Sequence, residues 1–133
     1  MLTASLPFPP SVNRLWRKWR GRMVLSPEGR NYRTAVCARL AGNGPRKPPS
    51  GGRIALCMDA FPPDRRKRDL DNNIKSVADA LQDAAVFNND EQIDLLLARR
   101  RGLFPGGRID VRVDEFPLIA CPLCGSAFSP GDN

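Results

Sequence analysis

The chain of 133 residues carries 21 Lys and Arg against 14 Asp and Glu, a formal net charge of +7, and it contains no His. This length suits one domain with an ordinary core, and the missing imidazole excludes a Ser–His–Asp triad and histidine ligation of a metal. No apolar run reaches the roughly 18–20 residues that span a bilayer. The N-terminus lacks the basic and long apolar regions of a secretory signal, so a cytoplasmic location and no membrane partner are expected.

Charge is divided unevenly along the chain. Residues 1–68 hold 15 Lys and Arg against three acids, whereas residues 69–133 hold six against eleven. The first part is therefore expected to bind phosphates and the second to carry acidic chemistry. An anionic membrane is the alternative target of a basic protein, but no strongly amphipathic basic helix supports it.

The N-terminal segment is predicted to be a short strand followed by a cationic loop. Residues 2–6 form the strand, and three prolines after it force an extended or turning path. In the loop 11–22, Trp16 is expected to be buried, whereas Trp19 either fills the core or stacks on an unpaired base. Because arginine binds phosphate bidentately, the cations of this loop are candidate DNA contacts: Arg14, Arg17, Lys18 and Arg20.

A helix and a strand are predicted next. Residues 26–28 (Ser-Pro-Glu) combine an N-cap, a proline at the first helical position and an acid in the first turn. This helix is expected to reach about Ala41, with Tyr32 in the core. Residues 43–52 have the composition of a loop, and residues 53–60 form an apolar strand that two prolines end.

The stretch from Asp64 to Asp90 concentrates the chemistry. Asp69 and Asp71 are two residues apart, so in an extended segment both carboxylates would face one side. A helix is predicted from Asn72 to about Val86, with Asp71 as its N-cap and Lys75 one turn later, off the apolar stripe. Clustered carboxylates suit Mg²⁺, and a lysine beside them can stabilise charge on a phosphate. The basic run before them is expected to bind phosphate: Arg65, Arg66, Lys67 and Arg68.

The alternative interpretation of this stretch is structural. Asp71 alone is equally well explained as a helix cap, and a basic run is usually a solvated turn. Asp79 is expected to support the structure and Asp83 to lie on the surface. The full set of acids and cations, in a chain without histidine, favours the metal site.

Two further strands complete the predicted fold. Residues 92–101 form one, residues 104–107 a turn, and residues 108–115 a strand in which Ile109, Val111 and Val113 alternate with polar residues. The expected architecture is a single two-layer α+β domain, residues 1–116, with a mixed sheet of about four strands packed against two main helices.

The motif resembles that of a known family. DRRKRDLDNNIKSVADAL followed by VFNNDEQI resembles the RusA family of Holliday-junction resolvases, and LPFPPSVNRLWR and SPEGRNYR agree with it over roughly residues 2–115. The resemblance implies a homodimer that uses Mg²⁺, or Mn²⁺ in its place, to make paired symmetric nicks in four-way DNA junctions during recombination and repair. It assigns catalysis and metal binding to Asp69, Asp71 and Asp90, and catalysis also to Lys75. Asn89 departs from the acid that the family commonly has there, which is expected to weaken metal affinity without abolishing activity.

The tail, residues 117–133, lies outside the resemblance. Its Cys121-Pro-Leu-Cys124-Gly sequence is half of a zinc knuckle, and tetrahedral Zn²⁺ takes four ligands. Two subunits could share a Cys₄ site, since Cys37 and Cys57 are expected to be buried thiols; a disordered tail with idle cysteines is the alternative that the sequence favours. The competing functions are a nuclease for flaps or forks, a non-catalytic protein that binds branched nucleic acid, and a zinc-knuckle adaptor.

Overall fold

The computed structural model describes residues 2–42 and 52–128, and most of the predicted loop 43–52 lies outside them. The elements in chain order are β1 (Leu2–Leu6), α1 (Val12–Leu15), β2 (Trp16–Trp19), β3 (Arg22–Leu25), α2 (Pro27–Ala41), β4 (Ile54–Phe61), α3 (Leu70–Asp83), a 3₁₀ turn (Asp90–Gln92), β5 (Ile93–Arg100) and β6 (Arg108–Glu115).

As predicted, four strands form a mixed sheet, and their order is β1-β6-β4-β5. β6 is antiparallel to both β1 and β4, while β4 and β5 are parallel. Parallel neighbours need a crossover connection, and α3 supplies it between β4 and β5. The chain therefore leaves the end of β4, passes through the basic turn, and enters α3 beside the same end of the sheet.

The core lies between this sheet and the two long helices. Alternate residues of β4 and β6 face it because side chains on a strand alternate with a period of two, and each large apolar side chain buried there contributes roughly 1.5–3 kcal/mol. The buried residues include Ile54, Leu56, Met58, Ile109, Val111 and Val113 from the strands, and Tyr32, Val36, Leu40, Val77, Ala78 and Leu81 from the helices.

The ends of α3 differ from the prediction. Asp69, not Asp71, holds the N-cap position, with φ −86° and ψ 129° and no side-chain cap hydrogen bond, so Asp71 lies in the first helical turn. The helix begins early because Leu70 packs against the core. It ends at Asp83 rather than at about Val86, and Ala85 is exposed at φ 58°. That turn lets the next two residues, which are fully buried, enter the core.

The segment predicted as a cationic loop is a short helix and a two-stranded hairpin. β2 pairs with β3, and the connecting Arg20 and Gly21 have φ of 49° and 75°, the positive values that a two-residue hairpin turn requires. The expectation for Trp16 was wrong: it is 38% exposed, because Leu15 takes the buried position and the whole of β2 stands outside the core.

The predicted start of α2 is confirmed. The Ser26 hydroxyl caps the helix by accepting a bond of 3.0 Å from the Gly29 N–H, and it donates to the Arg14 carbonyl. Gly29 is required by close packing, since a Cβ there would lie 2.7 Å from Leu25 Cδ1 and 2.8 Å from the Leu15 carbonyl oxygen. The hairpin is thereby fixed to the domain at its base.

The remaining sequence expectations concern the cysteines and the tail. Cys37 and Cys57 are half-buried rather than buried. Cys57 is partly exposed because it faces away from the helices, on the open side of β4. Residues 119–128 form a small closed turn instead of a disordered segment. Within the described ranges, no helix is long and apolar enough to cross a membrane.

Candidate active site

Two grooves meet at the N-terminus of α3. The proline groove, about 340 Å³, lies between the loop that follows β1 and the start of the helix; its lining includes Phe8, Pro9, Pro10, Lys67, Arg68, Asp69 and Asn73. The arginine groove, about 520 Å³, lies between the basic turn and the end of β5; its lining includes Arg65, Arg66, Lys67, Arg68, Asp69, Arg100 and Arg101. Asp69 therefore lies where two cationic channels join.

The basic turn is organised by one carboxylate. Asp64 accepts a hydrogen bond of 2.7 Å from Arg68 Nη1 and one of 2.9 Å from the Arg66 backbone N–H. The hydrogen bond from Arg68, followed by that from the backbone, lowers the pKa of Asp64 to about 2. The Arg68 guanidinium also lies over the Phe8 ring, 5.6 Å from its centroid. Since Arg68 is held in this way, Arg65, Arg66 and Lys67 are the cations that the turn exposes.

Lys75 lies at the centre of a charged cluster. Its Nζ is 3.1 Å from Asp79 Oδ1 and 3.3 Å from Asp90 Oδ2. Hydrogen bonds to Asp79 first, and then to Asp90, raise the pKa of Lys75, so its ammonium group keeps its proton at neutral pH. Asp79 is supported from α2 by Arg33, which also pairs with Asp83 at 2.9 Å. Asp79 therefore links α2 to Lys75, which agrees with the supporting role expected of it.

The loop that carries Asp90 is fixed by Gln92, a residue that the sequence analysis did not single out. Its Oε1 accepts hydrogen bonds of 2.8 and 3.0 Å from the backbone N–H groups of Asn88 and Asn89, and its Nε2 donates to the Gly52 carbonyl at 2.7 Å. Gln92 is buried. The Asn-x-x-Gln spacing of a capping box was the available signal.

Asn89 has a structural role at its position. Its side-chain oxygen accepts a hydrogen bond of 3.1 Å from the Glu91 N–H and caps the 3₁₀ turn that begins at Asp90. Asparagine and aspartate cap equally well, so the departure from the family pattern keeps the turn and removes one negative charge. Its effect on activity stays a prediction.

The three aspartates assigned to the metal are placed differently from one another. Asp69 faces the grooves, Asp71 is exposed one helical turn before Lys75, and Asp90 pairs with Lys75. In residues 2–42 and 52–128, no three His, Cys, Asp or Glu side chains converge closely enough to hold a metal ion. The donors are nonetheless all carboxylate oxygens near an exposed surface, the ligand type that Mg²⁺ and Mn²⁺ prefer.

The end of β5 contributes cations that the site prediction left out. Arg100 donates to the Arg68 carbonyl and, with Arg101, lines the arginine groove. Arg99 pairs with Asp59 at 2.8 Å, and Arg101 also reaches Asp59, at 3.6 Å. Alternation along the strand turns Arg100 away from Arg99, and the run of three arginines at the strand end was the sequence signal for these cations.

The hairpin presents cations and aromatic rings together. Trp19 is 55% exposed, and Arg17 and Arg20 lie 5.7 and 5.6 Å from the centre of its ring. Lys18 is exposed beside it. A third groove, about 280 Å³, brings Arg14 at the hairpin base to the same lining as Lys67 in the basic turn. Arg14 at the hairpin base and the cations of the basic turn therefore line one groove.

Carboxylates and a lysine near arginine-rich grooves are features that suit a polyanionic ligand. A family model described as Endodeoxyribonuclease RusA matches residues 7–114. The chain belongs to this family of endodeoxyribonucleases, as its motif predicted.

Individual relatives agree with the family assignment. The crossover junction endodeoxyribonuclease of Enterobacteria phage HK97 is 34% identical over 114 residues, which cover 86% of this chain and 94% of that protein. The protein of the same name from Escherichia coli strain K12 is 36% identical over 111 residues, covering 84% and 92%. That of Enterobacteria phage 82 is 35% identical over 115 residues, with the same coverage.

Proposed function

We propose that this protein is a Mg²⁺-dependent endodeoxyribonuclease that resolves four-way DNA junctions by paired symmetric nicks, acting as a homodimer. The observation that carries the proposal is the contact of Lys75 with Asp90, 3.3 Å apart, on a surface that cationic grooves border. It unites two residues from separate parts of the motif, and the relatives named as crossover junction endodeoxyribonucleases supply the substrate class.

Asp69, Asp71 and Asp90 are the residues that would hold Mg²⁺, or Mn²⁺ in its place. Bound there, the ion would supply Lewis-acid activation of water and neutralise charge on the phosphate. The Asp90 carboxylate would have to exchange its contact with Lys75 for the ion, and both groups are exposed enough to move. Gln92 and Asn89 fix the backbone of Asp90, so only its side chain needs to change.

Lys75 acts as a fixed positive charge in this proposal. Its raised pKa makes it a poor general base at neutral pH, and with no histidine in the chain the proton of the attacking water passes to a carboxylate or to solvent. The ammonium group would donate to a phosphate oxygen as negative charge develops there. Asp79 would hold Lys75 in position while the Asp90 carboxylate holds the ion.

The DNA would lie across the cationic grooves and the hairpin. The exposed residues of the basic turn, Arg65, Arg66 and Lys67, with the two arginines of the β5 end, would bind phosphates of one arm at the arginine groove. The hairpin would contact a second arm through its cations. Each chain carries one set of reactive residues, so two nicks of equal geometry require two chains related by a two-fold axis.

The test compares a synthetic four-way junction with a linear duplex, a flap and a fork of the same sequence, with Mg²⁺ or with EDTA. Paired nicks at symmetric positions on the junction alone, lost with EDTA and with Asp71→Asn, are the expected result. Asp83→Asn is the matched control, since it removes a carboxylate from the same helix that only pairs with Arg33. Equal cleavage of flaps or forks would show a nuclease that is not specific for four-way junctions. Tight binding without cleavage would indicate a non-catalytic binding protein.

A further inference from the structure

The tail after β6 forms a folded cysteine turn. Residues 119–128 are closed by three backbone hydrogen bonds: Phe128 N–H to the Ile119 carbonyl at 3.1 Å, Cys121 N–H to the Ser126 carbonyl at 2.8 Å, and Gly125 N–H to the Cys121 carbonyl at 2.8 Å. Gly125 has φ 76°, a conformation that glycine adopts without steric cost. The segment therefore doubles back on itself directly after its second cysteine.

This turn brings the two thiols together at the surface. The Gly125 N–H bond to the Cys121 carbonyl closes a tight turn around the two cysteines, and the Cys124 thiol bonds Ser126 Oγ at 3.3 Å. Cys124 is exposed and Cys121 half-buried. Two thiolates with two residues between them in the sequence can provide one edge of the tetrahedron that Zn²⁺ prefers.

The described part of the chain does not complete that tetrahedron. It places no third His, Cys, Asp or Glu with the pair. Cys37 lies on α2. Cys57 lines a cavity of about 210 Å³ with Pro122 on the open sheet face, but it joins no metal-binding group with Cys121 and Cys124. A structural zinc site takes four protein ligands, so two must come from elsewhere.

Two large apolar side chains beside the thiols are exposed. Ile119 is 90% exposed and Leu123 58% exposed, on either side of the first cysteine, while Leu118 anchors the segment in the domain. Exposed apolar side chains grouped at one site mark a contact surface. A second copy of the same turn would cover them and would carry the same two thiols, which is the self-complementary arrangement of a two-fold interface.

We propose that Cys121 and Cys124 form half of a tetrahedral Zn²⁺ site that a second copy of the chain completes with the same two thiolates. Binding is a ligand exchange without oxidation or reduction: the four thiols release their protons to solvent as the four Zn–S bonds form. The site lies beyond residue 114, where the family match ends, and it stands independently of the proposed nuclease activity.

The test is metal analysis of the full chain, purified under reducing conditions, loaded with Zn²⁺ and dialysed. About one Zn²⁺ per two chains is expected, and none in the Cys121→Ser/Cys124→Ser variant. Cys37→Ser and Asp71→Asn should retain the metal, the latter because the nuclease carboxylates are a separate site. No retained Zn²⁺, one Zn²⁺ per chain, or loss of the metal in Cys57→Ser would each overturn the shared site.

Titration of the metal-free chain with Co²⁺ gives a second, spectroscopic measurement. The charge-transfer absorption of Co²⁺ bound to four thiolates should saturate at about one Co²⁺ per two chains. Saturation at one Co²⁺ per chain would refute completion by a second copy. Ile119→Asp/Leu123→Asp keeps all cysteines but places like charges on both sides of the interface, and it should weaken Co²⁺ binding; unchanged affinity would contradict the proposed contact.

Discussion

Replacement of Lys75 by Gln distinguishes a catalytic role from a structural one, because the two roles predict losses of different size in cleavage rate and in stability. Lys75 makes two ion pairs, but its side chain is 66% exposed, and exposed pairs contribute roughly 0.2–1 kcal/mol each. The loss of stability should therefore be about 1 kcal/mol, or a fall in Tm of roughly 2–5 °C for a chain of this size. Loss of a group that stabilises charge in the transition state costs on the order of 10²–10³-fold in rate.

The assay is single-turnover cleavage of a four-way junction with enzyme in excess, beside the affinity for the junction in EDTA and a thermal melt. Lys75→Gln should cleave at least about 100-fold more slowly, with junction affinity nearly unchanged. Arg39→Gln removes the same unit charge from α2, where Arg39 donates to the Ser5 carbonyl, and should cleave normally. Cleavage by Lys75→Gln within about threefold of the unmodified rate, or an equal loss in the control, would refute the reasoning.

Three further predictions concern the support of the site. Gln92→Leu should cost roughly 2–4 kcal/mol in urea unfolding because three backbone groups lose their partner, whereas Gln82→Leu, at an exposed position of α3, should cost little; equal losses would contradict this. Gly29→Ala should lower Tm, since overpacking of about 1–3 kcal/mol exceeds the helix-propensity gain of about 1, while Gly102→Ala, with open space around it, should not. The pKa of Asp64 is lowered to about 2, so its contribution to stability is complete above its ordinary pKa of 3.8 and is lost as the pH falls toward 2. Asp64→Asn should therefore flatten the dependence of Tm on pH between those two values. An unchanged slope would count against the Arg68 contact.

The helices and strands were largely predictable because their signals are local. β6 alternates apolar and polar residues, and α2 begins at a serine followed by proline. The predicted bounds of β6 and the predicted start of α2 therefore matched the structure. The position of Trp16 was not predictable in this way. Whether an apolar side chain is buried depends on which neighbour reaches the core first, and Leu15 does so at the turn where the hairpin leaves the domain.

The motif likewise named the candidate site residues without their arrangement. Asp69, Asp71, Lys75 and Asp90 were named from spacing and family resemblance, but the contact of Lys75 with Asp90 spans 15 positions and follows from where α3 ends and the Gln92-supported turn begins. The early start of α3 also changed the relation of Asp69 to Asp71, because packing of Leu70 against the core overrode the extended segment that their spacing indicated.

The sequence by itself determined which chemical groups are available to the candidate site: clustered carboxylates, Lys75, many arginines and no imidazole, in a motif that specifies the family. The tertiary structure decided which of these groups meet. The parallel register that pairs Ala60 with Arg100 brings the end of β5 beside the basic turn, and no local pattern encodes that contact. Side-chain periodicity is fixed within a few residues, whereas proximity between distant segments depends on the pairing of strands across the whole sheet.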